Sequence, residues 1–385
     1  MNDPGQRHSD KKKDKKEQEK KPKKKNFIKR AFLREKDDEV EDVTHGVKKD
    51  REHVFKSSDQ NHNFFKDTPA YRWSMNIMTN KTVKALSTEF SQNKRVKPQE
   101  YSTNVYSRNE TKNRYNDILC MDSTRVVLKG RPQDEDYIHA SWMTMQDGQK
   151  YICTQGPMSE TLEDFWHMVY TEKSCVIVML CGLIEANLEK CARYFPKVKG
   201  KVEEFGQYRV SIRDVRTDPI DGVRHQILEC ELNGQSLLVH HLIHPSWPDH
   251  VVPENASVTV NLFLLARKLS GGRPITVHCS AGIGRTATFV GLDYASQKIR
   301  KDENSSMVEV LRELRTQRFH AIQSPLQYIF LHVCIIELFA LEGLVPRKGK
   351  FQEYMDHYDN TMKRYAARQA KNDRTSGQPA TAENK

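Results

Sequence analysis

The stretch ITVHCSAGIGRTATFVGLDYA, residues 275–295, contains a strand, a glycine-containing loop and the start of a helix in immediate succession. Residues 275–277 are β-branched and largely apolar, as in a buried strand, and a helical pattern begins at residue 285. Backbone N–H groups and the positive end of the helix converge at such a junction and bind anions. Gly282 and Gly284 permit backbone conformations that a side chain would block, so the loop can approach a phosphate closely.

Cys279 stands at the beginning of this loop, where the groups that bind an anion also stabilise a thiolate. We therefore expect Cys279 to be ionised at neutral pH and to act as a nucleophile. Arg285 follows six positions later, and its planar guanidinium can bind two phosphate oxygens at once. This combination favours phosphoryl transfer to sulfur over acyl transfer, which would require a general-base histidine and an oxyanion hole. The alternative is a buried, inert structural cysteine at the end of a strand.

Strand-like segments surround this junction and alternate with helical patterns. The predicted strands are VVLKG (126–130), YICTQG (151–156), CVIVML (175–180), QYRVSI (207–212), QSLLVHHLIH (235–244) and ITVHC (275–279). The predicted helices are ETLEDFWHMVY (160–170), VTVNLFLLARKL (258–269), VGLDYASQKI (290–299), MVEVLRELRTQ (307–317) and LQYIFLHVCIIELFALEGL (326–344). They predict an α/β domain in which helices flank a central, twisted, mixed β-sheet, with the Cys-x5-Arg loop between a strand and a helix.

Two segments outside this core also show helical patterns, and the last helix of the core has a feature of its own. Trp73, Val83, Leu86 and Phe90 recur at helical spacing near the start of the domain. Residues 328–345 contain His332, Glu337 and Glu342, which is more typical of a buried amphipathic helix than of a membrane span. Six residues share one face of a C-terminal helix that either packs on the domain or binds a partner, namely Phe351, Tyr354, Met355, Tyr358, Met362 and Tyr365.

The sequence resembles the classical, phosphotyrosine-specific protein tyrosine phosphatases of the non-receptor type over about residues 75–345. Nine segments recur in the order found in that family: KNRYNDI (112–118), DYIHASWM (136–143), YICTQGP (151–157), DFWHMVY (164–170), IVMLCGLIE (177–185), KCARYFP (190–196), WPDHVVP (247–253), VHCSAGIGRT (277–286) and IQSPLQY (322–328). The stretch RTATFVGLDYASQKI (285–299) is similar to the expanded nematode branch of the family.

The resemblance implies hydrolysis of phosphotyrosine in proteins through a covalent phosphocysteine on Cys279. It assigns the general acid and base to Asp249, on a mobile loop in which Pro248 restricts the backbone. It further implies that Gln323 positions the attacking water with help from Gln327, and that the Thr286 hydroxyl stabilises the departing thiolate. A phosphotyrosine-binding pseudophosphatase is the alternative, against which the presence of Cys279, Arg285, Asp249 and Gln323 argues.

The resemblance also assigns substrate contacts and supporting residues, and it implies no metal or other cofactor. Tyr115 would form the wall of a deep cleft and stack on the substrate ring, while Asp117 would bond the peptide backbone. The phosphate-binding loop itself comprises Ser280, Ala281, Gly282, Ile283 and Gly284. The expected supporting residues are Glu185, which would pair with Arg285, Lys190, which would contact the acid loop, Trp247, which would anchor that loop, and His278, which would set hydrogen bonds behind the nucleophile.

Several residues depart from the usual family pattern or invite another interpretation. His139 replaces a common asparagine, His320 replaces a small residue at the cleft entrance, and Ala287 replaces a glycine. Three neighbouring histidines suggest zinc, but two of them, His240 and His241, should point to opposite faces of a strand. No tetrahedral ligand set is evident, so we expect the three (His240, His241 and His244) to pack beneath the acid loop.

Composition and charge indicate how the rest of the 385-residue chain is organised. Its formal charge is +11, and residues 1–35 contribute fourteen Lys and Arg against six Asp and Glu. We expect a disordered basic tail over 1–26, a linker with room for one short helix over 27–70, the catalytic domain over 71–345, and an amphipathic helix followed by a disordered tail over 346–385. Eight scattered cysteines and the absence of a secretory signal favour a reduced, cytoplasmic protein.

The expected partners follow from the same features. Phosphotyrosine-containing proteins would be the substrates, and the basic tail could contact an acidic membrane or an acidic partner weakly. We expect no specific nucleic-acid binding, and we expect the chain to be monomeric.

Overall fold

A computed structural model describes residues 67–217, 220–247, 252–253 and 255–375. The strands are β1 (Arg125–Val127), β2 (Tyr137–Thr144), β3 (Lys150–Thr154), β4 (Val176–Met179), β5 (Ile184–Glu185), β6 (Leu188–Glu189), β7 (Val202–Phe205), β8 (Tyr208–Arg216), β9 (Arg224–Leu232), β10 (Gln235–Ile243) and β11 (Ile275–His278). The helices are α1 (Pro69–Asn80), α2 (Val83–Asn93), α3 (Asn104–Arg108), α4 (Leu162–Thr171), α5 (Ala256–Ser270), α6 (Arg285–Lys301), α7 (Met307–Gln317), α8 (Pro325–Leu341) and α9 (Lys350–Thr375).

Nine of these strands form one mixed sheet in the described part of the chain, in the order β1-β2-β3-β11-β4-β10-β9-β8-β7. The central strands β3, β11, β4 and β10 are parallel, and antiparallel strands extend the sheet on both sides. Helices α5 and α6 contact the central strands, and α4 contacts β7 and β8. The predicted fold class is therefore confirmed, and the carboxyl ends of the parallel strands meet at one edge, where α/β sheets bind ligands.

The helical pattern of residues 73–90 belongs to two helices rather than one. Lys81 adopts an extended conformation, and the side chain of Thr82 accepts a hydrogen bond from the Ala85 amide at 3.1 Å. A threonine in this capping position satisfies an amide that the new helix leaves unpaired. The buried residues of both helices, such as Trp73, Leu86 and Phe90, still face the same core.

Helix α8 is buried on all sides, so its predicted burial is confirmed, whereas the amphipathic character expected of it is absent. Glu337 lies inside the fold, where it pairs with Arg347 at 2.7 Å and accepts a hydrogen bond from Ser257. His332 bonds the Tyr328 carbonyl at 2.8 Å. The Glu337 carboxylate and the His332 Nδ1 atom are compatible with this buried helix because each has a local partner. Among the described residues, no helix has both the length and the apolar character needed to span a lipid bilayer.

The folded unit includes residues on both sides of the 71–345 segment. Helix α1 begins at Pro69, and Phe351, Tyr354 and Tyr358 of α9 are buried in the same core as α8. Met355 and Met362 pack against that core while partly exposed, so the apolar face of α9 packs on the domain. The predicted tail 1–26 and the linker up to residue 66 lie outside the described residues, as do residues 376–385.

Candidate active site

The glycine-containing loop lies where β11 ends and α6 begins, at the carboxyl edge of the parallel strands. All four residues of β11 are buried, and the strand pairs with β3 on one side and β4 on the other. The loop is therefore fixed at its start by the centre of the sheet. Its far end is fixed by Gly284, whose carbonyl accepts hydrogen bonds from both the amide and the hydroxyl of Thr288.

Gly282 allows the loop to turn back over the Cys279 sulfur. Its φ is +71°, and a Cβ at this position would lie 2.2 Å from the Thr154 carbonyl oxygen. The Gly282 amide donates a hydrogen bond to Cys279 Sγ at 3.2 Å, and Cys279 is 3% exposed. A backbone donor aimed at the sulfur stabilises its ionised form. The sulfur is thus placed at the start of the cradle, as predicted.

Arg285 is held beneath the loop by a carboxylate and a carbonyl. Its two terminal nitrogens donate to Glu185 Oε1 at 2.7 Å and Oε2 at 3.1 Å, and Nη1 also donates to the Trp247 carbonyl at 2.9 Å. Glu185 lies on the short β5–β6 hairpin and accepts a hydrogen bond from the Gly182 amide at 2.9 Å. The predicted pairing of Glu185 with Arg285 is present, and its two-pronged geometry fixes the plane of the guanidinium.

Gln323 and Gln327 lie against Gly284. A Cβ on Gly284 would be 3.1 Å from Gln323 Oε1 and 2.7 Å from Gln327 Nε2, so any larger residue would displace these two amide groups. Gln327 Oε1 accepts a hydrogen bond from the Gln323 amide at 3.0 Å. Ile322 precedes Gln323 with a φ of +61°, which is a strained value for a β-branched residue, and its amide bonds the Ile283 carbonyl. This bond ties the glutamine segment to the phosphate-binding loop.

Tyr115 lies across the mouth of the loop, and its hydroxyl is 2.7 Å from Ser280 Oγ. The neighbouring Arg114 anchors this segment by donating to the carbonyls of Gly156 at 3.1 Å and Pro157 at 2.8 Å. The Gly156 amide in turn donates to the Ser280 carbonyl at 2.8 Å. The predicted recognition segment 112–118 and the loop are therefore bonded to each other directly and through the residues that follow β3.

His278 is buried behind the loop, as predicted. Its Nε2 is 2.7 Å from the Tyr194 hydroxyl, and its Nδ1 is 3.1 Å from the Cys279 carbonyl oxygen. The same hydroxyl is 2.7 Å from His241 Nε2. The histidines that suggested zinc have separate neighbours: His240 bonds His225, His241 bonds Tyr194, and His244 bonds Ser246. They do not converge on one point.

A cavity of about 330 Å³ opens onto the loop. It is lined by Tyr115, Asp117, Ile118, Lys190, Cys279, Ser280, Ala281, Gly284, Arg285 and Gln323. All of these except Ile118 belong to the set that the sequence predicts. Trp247 is buried against Phe330, with ring centroids 5.3 Å apart, and lies behind the cavity.

The roles expected of three residues, Asp249, Pro248 and Thr286, stay predictions. Asp249 and Pro248 lie outside the described residues. The Thr286 hydroxyl is buried, but within the described part of the chain it has no hydrogen-bond partner, and no bond to Cys279 is formed. Its predicted role toward the sulfur therefore remains a prediction.

Arg318 is a residue of this site that the sequence reasoning missed. It is fully buried and donates to the carbonyl oxygens of Gly282 at 3.1 Å and Ala281 at 3.3 Å. No spacing rule identifies it, because its partners are more than thirty positions away in the chain. Through these two bonds a buried cation fixes the outer turn of the loop.

Together the fold and this geometry define an α/β domain with an anion-binding loop, a cysteine at its start and an arginine at its end. The protein-tyrosine phosphatase family model matches residues 109–337. The rat non-receptor type 20 tyrosine-protein phosphatase is 34% identical over 246 residues, which are 63% of this chain and 58% of that protein. The human non-receptor type 12 enzyme is 36% identical over 248 residues, covering 62% of this chain and 31% of that protein.

The human receptor-type tyrosine-protein phosphatase C is 35% identical over 235 residues, which are 60% of this chain and 18% of that protein. This chain belongs to the protein-tyrosine phosphatase family. It spans less than two thirds of the length of these relatives.

Proposed function

We propose that the chain hydrolyses phosphotyrosine in proteins, with a phosphocysteine on Cys279 as the intermediate. One observation carries the proposal. At one end of the loop, Cys279 Sγ accepts a hydrogen bond from the Gly282 amide, and at the other end Arg285 is bonded to Glu185. A nucleophile and a guanidinium fork that share an anion cradle are suited to phosphoryl transfer. Release of inorganic phosphate from a phosphotyrosine peptide, inhibited by vanadate, tests it.

In the first step the Cys279 thiolate attacks phosphorus, and the bond from phosphorus to the tyrosine oxygen breaks. Asp249 gives its proton to that oxygen, so tyrosine leaves in neutral form. Arg285 and the loop amides bind the phosphoryl oxygens while negative charge moves from the sulfur towards the leaving oxygen. The products are free tyrosine and a phosphocysteine.

In the second step Gln323, assisted by Gln327, orients a water molecule toward the phosphocysteine. The Asp249 carboxylate takes the water proton, the new oxygen–phosphorus bond forms, and the sulfur–phosphorus bond breaks. The thiolate of Cys279 is regenerated with help from the Thr286 hydroxyl, and phosphate leaves. The position of both glutamine side chains against Gly284 supports this assignment.

Substrate selection follows from the depth of the cavity. Tyr115 and Ser280, whose hydroxyl oxygens are 2.7 Å apart, line the cavity of about 330 Å³ together with Cys279. A phosphotyrosine is long enough to reach the loop from the entrance, whereas a phosphoserine is shorter. Lys190 lines the same cavity, and from there its ammonium group would interact with the phosphate or with the acid loop. Asp117 would hold the peptide backbone at the rim.

Replacement of Asp249 by asparagine should reduce kcat for a phosphotyrosine peptide by about 10²- to 10⁴-fold, because the phenolate then leaves without a proton. The loss should be much smaller for para-nitrophenyl phosphate, whose leaving group needs no proton. Steady-state kinetics on the two substrates measures the difference. An equal loss on both substrates would show that Asp249 does not act as the general acid.

Gly282→Ala should remove activity and destabilise the domain, because the new methyl group would clash with the Thr154 carbonyl at 2.2 Å. Gly130→Ala is the matched control: its φ is +76°, but nothing lies within 4 Å of the added Cβ. Both variants carry backbone strain of about 1 kcal/mol or more, so only the clash differs. Chemical unfolding and peptide hydrolysis measure the two effects. Equal behaviour of the variants would contradict the proposed need for close loop packing.

The remaining proposals concern the setting of this activity. The predicted cytoplasmic location is supported by composition, and the predicted weak contact between the basic residues of segment 1–26 and acidic surfaces is supported by charge. The monomeric state stays a prediction. Binding to anionic vesicles that weakens as salt rises would support the contact. Binding that is independent of salt would count against it.

A further inference from the structure

His139 joins the two halves of the proposed active site. The residue lies in the middle of β2 and is 1% exposed. Its Nε2 is 2.8 Å from the carbonyl oxygen of Ile118, the last residue of the segment that carries Tyr115. Its Nδ1 is 3.0 Å from Nη2 of Arg318. Since Arg318 donates to the loop carbonyls of Gly282 and Ala281, one imidazole ring connects the recognition segment to the phosphate-binding loop.

The two partners fix the chemical form of the ring. A guanidinium can only donate and a carbonyl can only accept, so Nδ1 must be unprotonated and Nε2 must carry the hydrogen. Burial, together with the charge of Arg318, lowers the pKa of His139 to about 3. The ring is therefore neutral at neutral pH, and its one N–H group donates to the Ile118 carbonyl.

Neighbouring contacts hold the ring in one orientation. The Tyr106 ring lies edge-on to His139 with centroids 5.9 Å apart, and its hydroxyl donates to the Asn116 carbonyl at 2.8 Å. Ser141 accepts a second hydrogen bond from Arg318 at 3.1 Å. The recognition segment is thus fixed on both sides of Asp117, at Asn116 by Tyr106 and at Ile118 by His139.

We propose that His139 is a positioning residue that sets the depth and width of the phosphotyrosine cleft. By joining Ile118 to Arg318 it fixes the distance between the recognition segment and the loop, and so the place of Tyr115 over Ser280. Asparagine, which is common at this position in the family, has a shorter side chain, and its amide group would lie where Nδ1 of the imidazole lies. It could keep a bond to Arg318 but could not reach Ile118. The inference rests on the proposed function, since it assigns a role within that same site.

His139→Asn separates the two bonds. The asparagine should still accept a hydrogen bond from Arg318 but should no longer donate one to the Ile118 carbonyl. The recognition segment then loses a contact, while the loop keeps its contacts with Arg318. We expect KM for a phosphotyrosine peptide to rise about tenfold, as for the loss of one buried hydrogen bond, with kcat changed by less than about twofold. His139→Leu removes both bonds, so kcat should fall as well.

The matched control is His167→Asn on α4. His167 is also buried and also bonds through both nitrogens, to the Lys129 carbonyl at 2.8 Å and to the Tyr208 hydroxyl at 2.8 Å. It touches neither the recognition segment nor the loop in these contacts. We expect it to change the unfolding midpoint as His139→Asn does, while KM and kcat stay at their wild-type values.

Peptide binding gives a readout that does not depend on turnover. In a Cys279→Ser background, calorimetry should show that His139→Asn weakens phosphotyrosine-peptide binding about tenfold and that His167→Asn does not. Equal Kd values for the two variants would overturn the inference, as would a loss of kcat without a change in KM for His139→Asn. If the wild-type chain proved inactive toward the peptide, the proposed function would fail, and the Kd comparison would still decide the role of His139.

Discussion

Cys279→Ser is expected to abolish hydrolysis of a phosphotyrosine peptide, with a loss in kcat of at least about 10⁴-fold. A serine hydroxyl stays protonated in the same cradle, so the nucleophile disappears while the shape of the site is kept. The loop amides and Arg285 still bind the phosphate, because neither depends on sulfur. Peptide binding should therefore stay within about tenfold of the value for the intact enzyme.

Cys334→Ser is the control for this substitution. Cys334 is buried in α8 and is not among the residues that line the cavity. The exchange places the same hydroxyl in the core, where it costs stability by burying a polar group but should leave kcat unchanged. Phosphate release and calorimetric titration with the same peptide measure both variants. Hydrolysis by Cys279→Ser within tenfold of wild type would exclude a phosphocysteine.

Arg285→Lys should reduce kcat by about 10³-fold or more, even though the positive charge is retained. Lysine presents a point charge and cannot bind two phosphoryl oxygens in one plane. It also cannot keep the two-pronged contact with Glu185, at 2.7 Å and 3.1 Å, together with the bond to the Trp247 carbonyl. The main effect should be on kcat, because the planar guanidinium binds the phosphoryl oxygens more strongly in the transition state than in the bound substrate.

Arg347→Lys provides a matched control for the arginine fork. Arg347 also binds one carboxylate with two nitrogens, donating to Glu337 at 2.7 Å and 3.2 Å, and is not among the residues lining the cavity. Its replacement should lower stability slightly and leave kcat within about twofold. Equal kinetic losses in the two variants would mean that Arg285 acts through stability alone, which would contradict its assigned role.

The chemistry of the loop could be predicted from sequence because the residues responsible for it lie within one short segment of the chain. Cys279, Gly282 and Arg285 lie on one strand–loop–helix junction, so local rules suffice to bring them together. The apolar runs that became β4 and β11, and helix α5 ending at Gly271 in a left-handed conformation, follow the same kind of rule.

Elements whose pattern depends on distant partners were not predictable in this way. Strand β2 carries His139 and Ser141 as buried residues, and their burial is possible only because Arg318 bonds both. Strand β9 alternates Leu228 and Cys230, which are buried, with more exposed charged residues, so its apolar signal is weak. A local reading counts such polar side chains as evidence of exposure, whereas the folded chain supplies their partners from elsewhere.

The same limit explains why the amphipathic character expected of α8 is absent and why Arg318 was missed. Glu337 contributes a polar position to the sequence pattern of α8, but Arg347 and Ser257 satisfy its carboxylate inside the fold. Arg318 follows α7 in the sequence without any motif, and its function emerges only when the Gly282 carbonyl is brought within 3.1 Å. Tertiary contacts, rather than periodicity, decide both cases.

Cys279 is the one cysteine among the residues that line the cavity on the phosphate-binding loop. Burial raises the pKa of Cys153 and of Cys230 to about 12, so these thiols should react slowly. The decisive measurement is the rate of iodoacetamide alkylation at each cysteine at about neutral pH, followed by mass spectrometry. We expect Cys279 to be alkylated faster than Cys153 and Cys230, and inorganic phosphate to suppress its alkylation. Alkylation of Cys279 that is no faster than that of these two thiols, or that phosphate does not suppress, would contradict its role as the nucleophile.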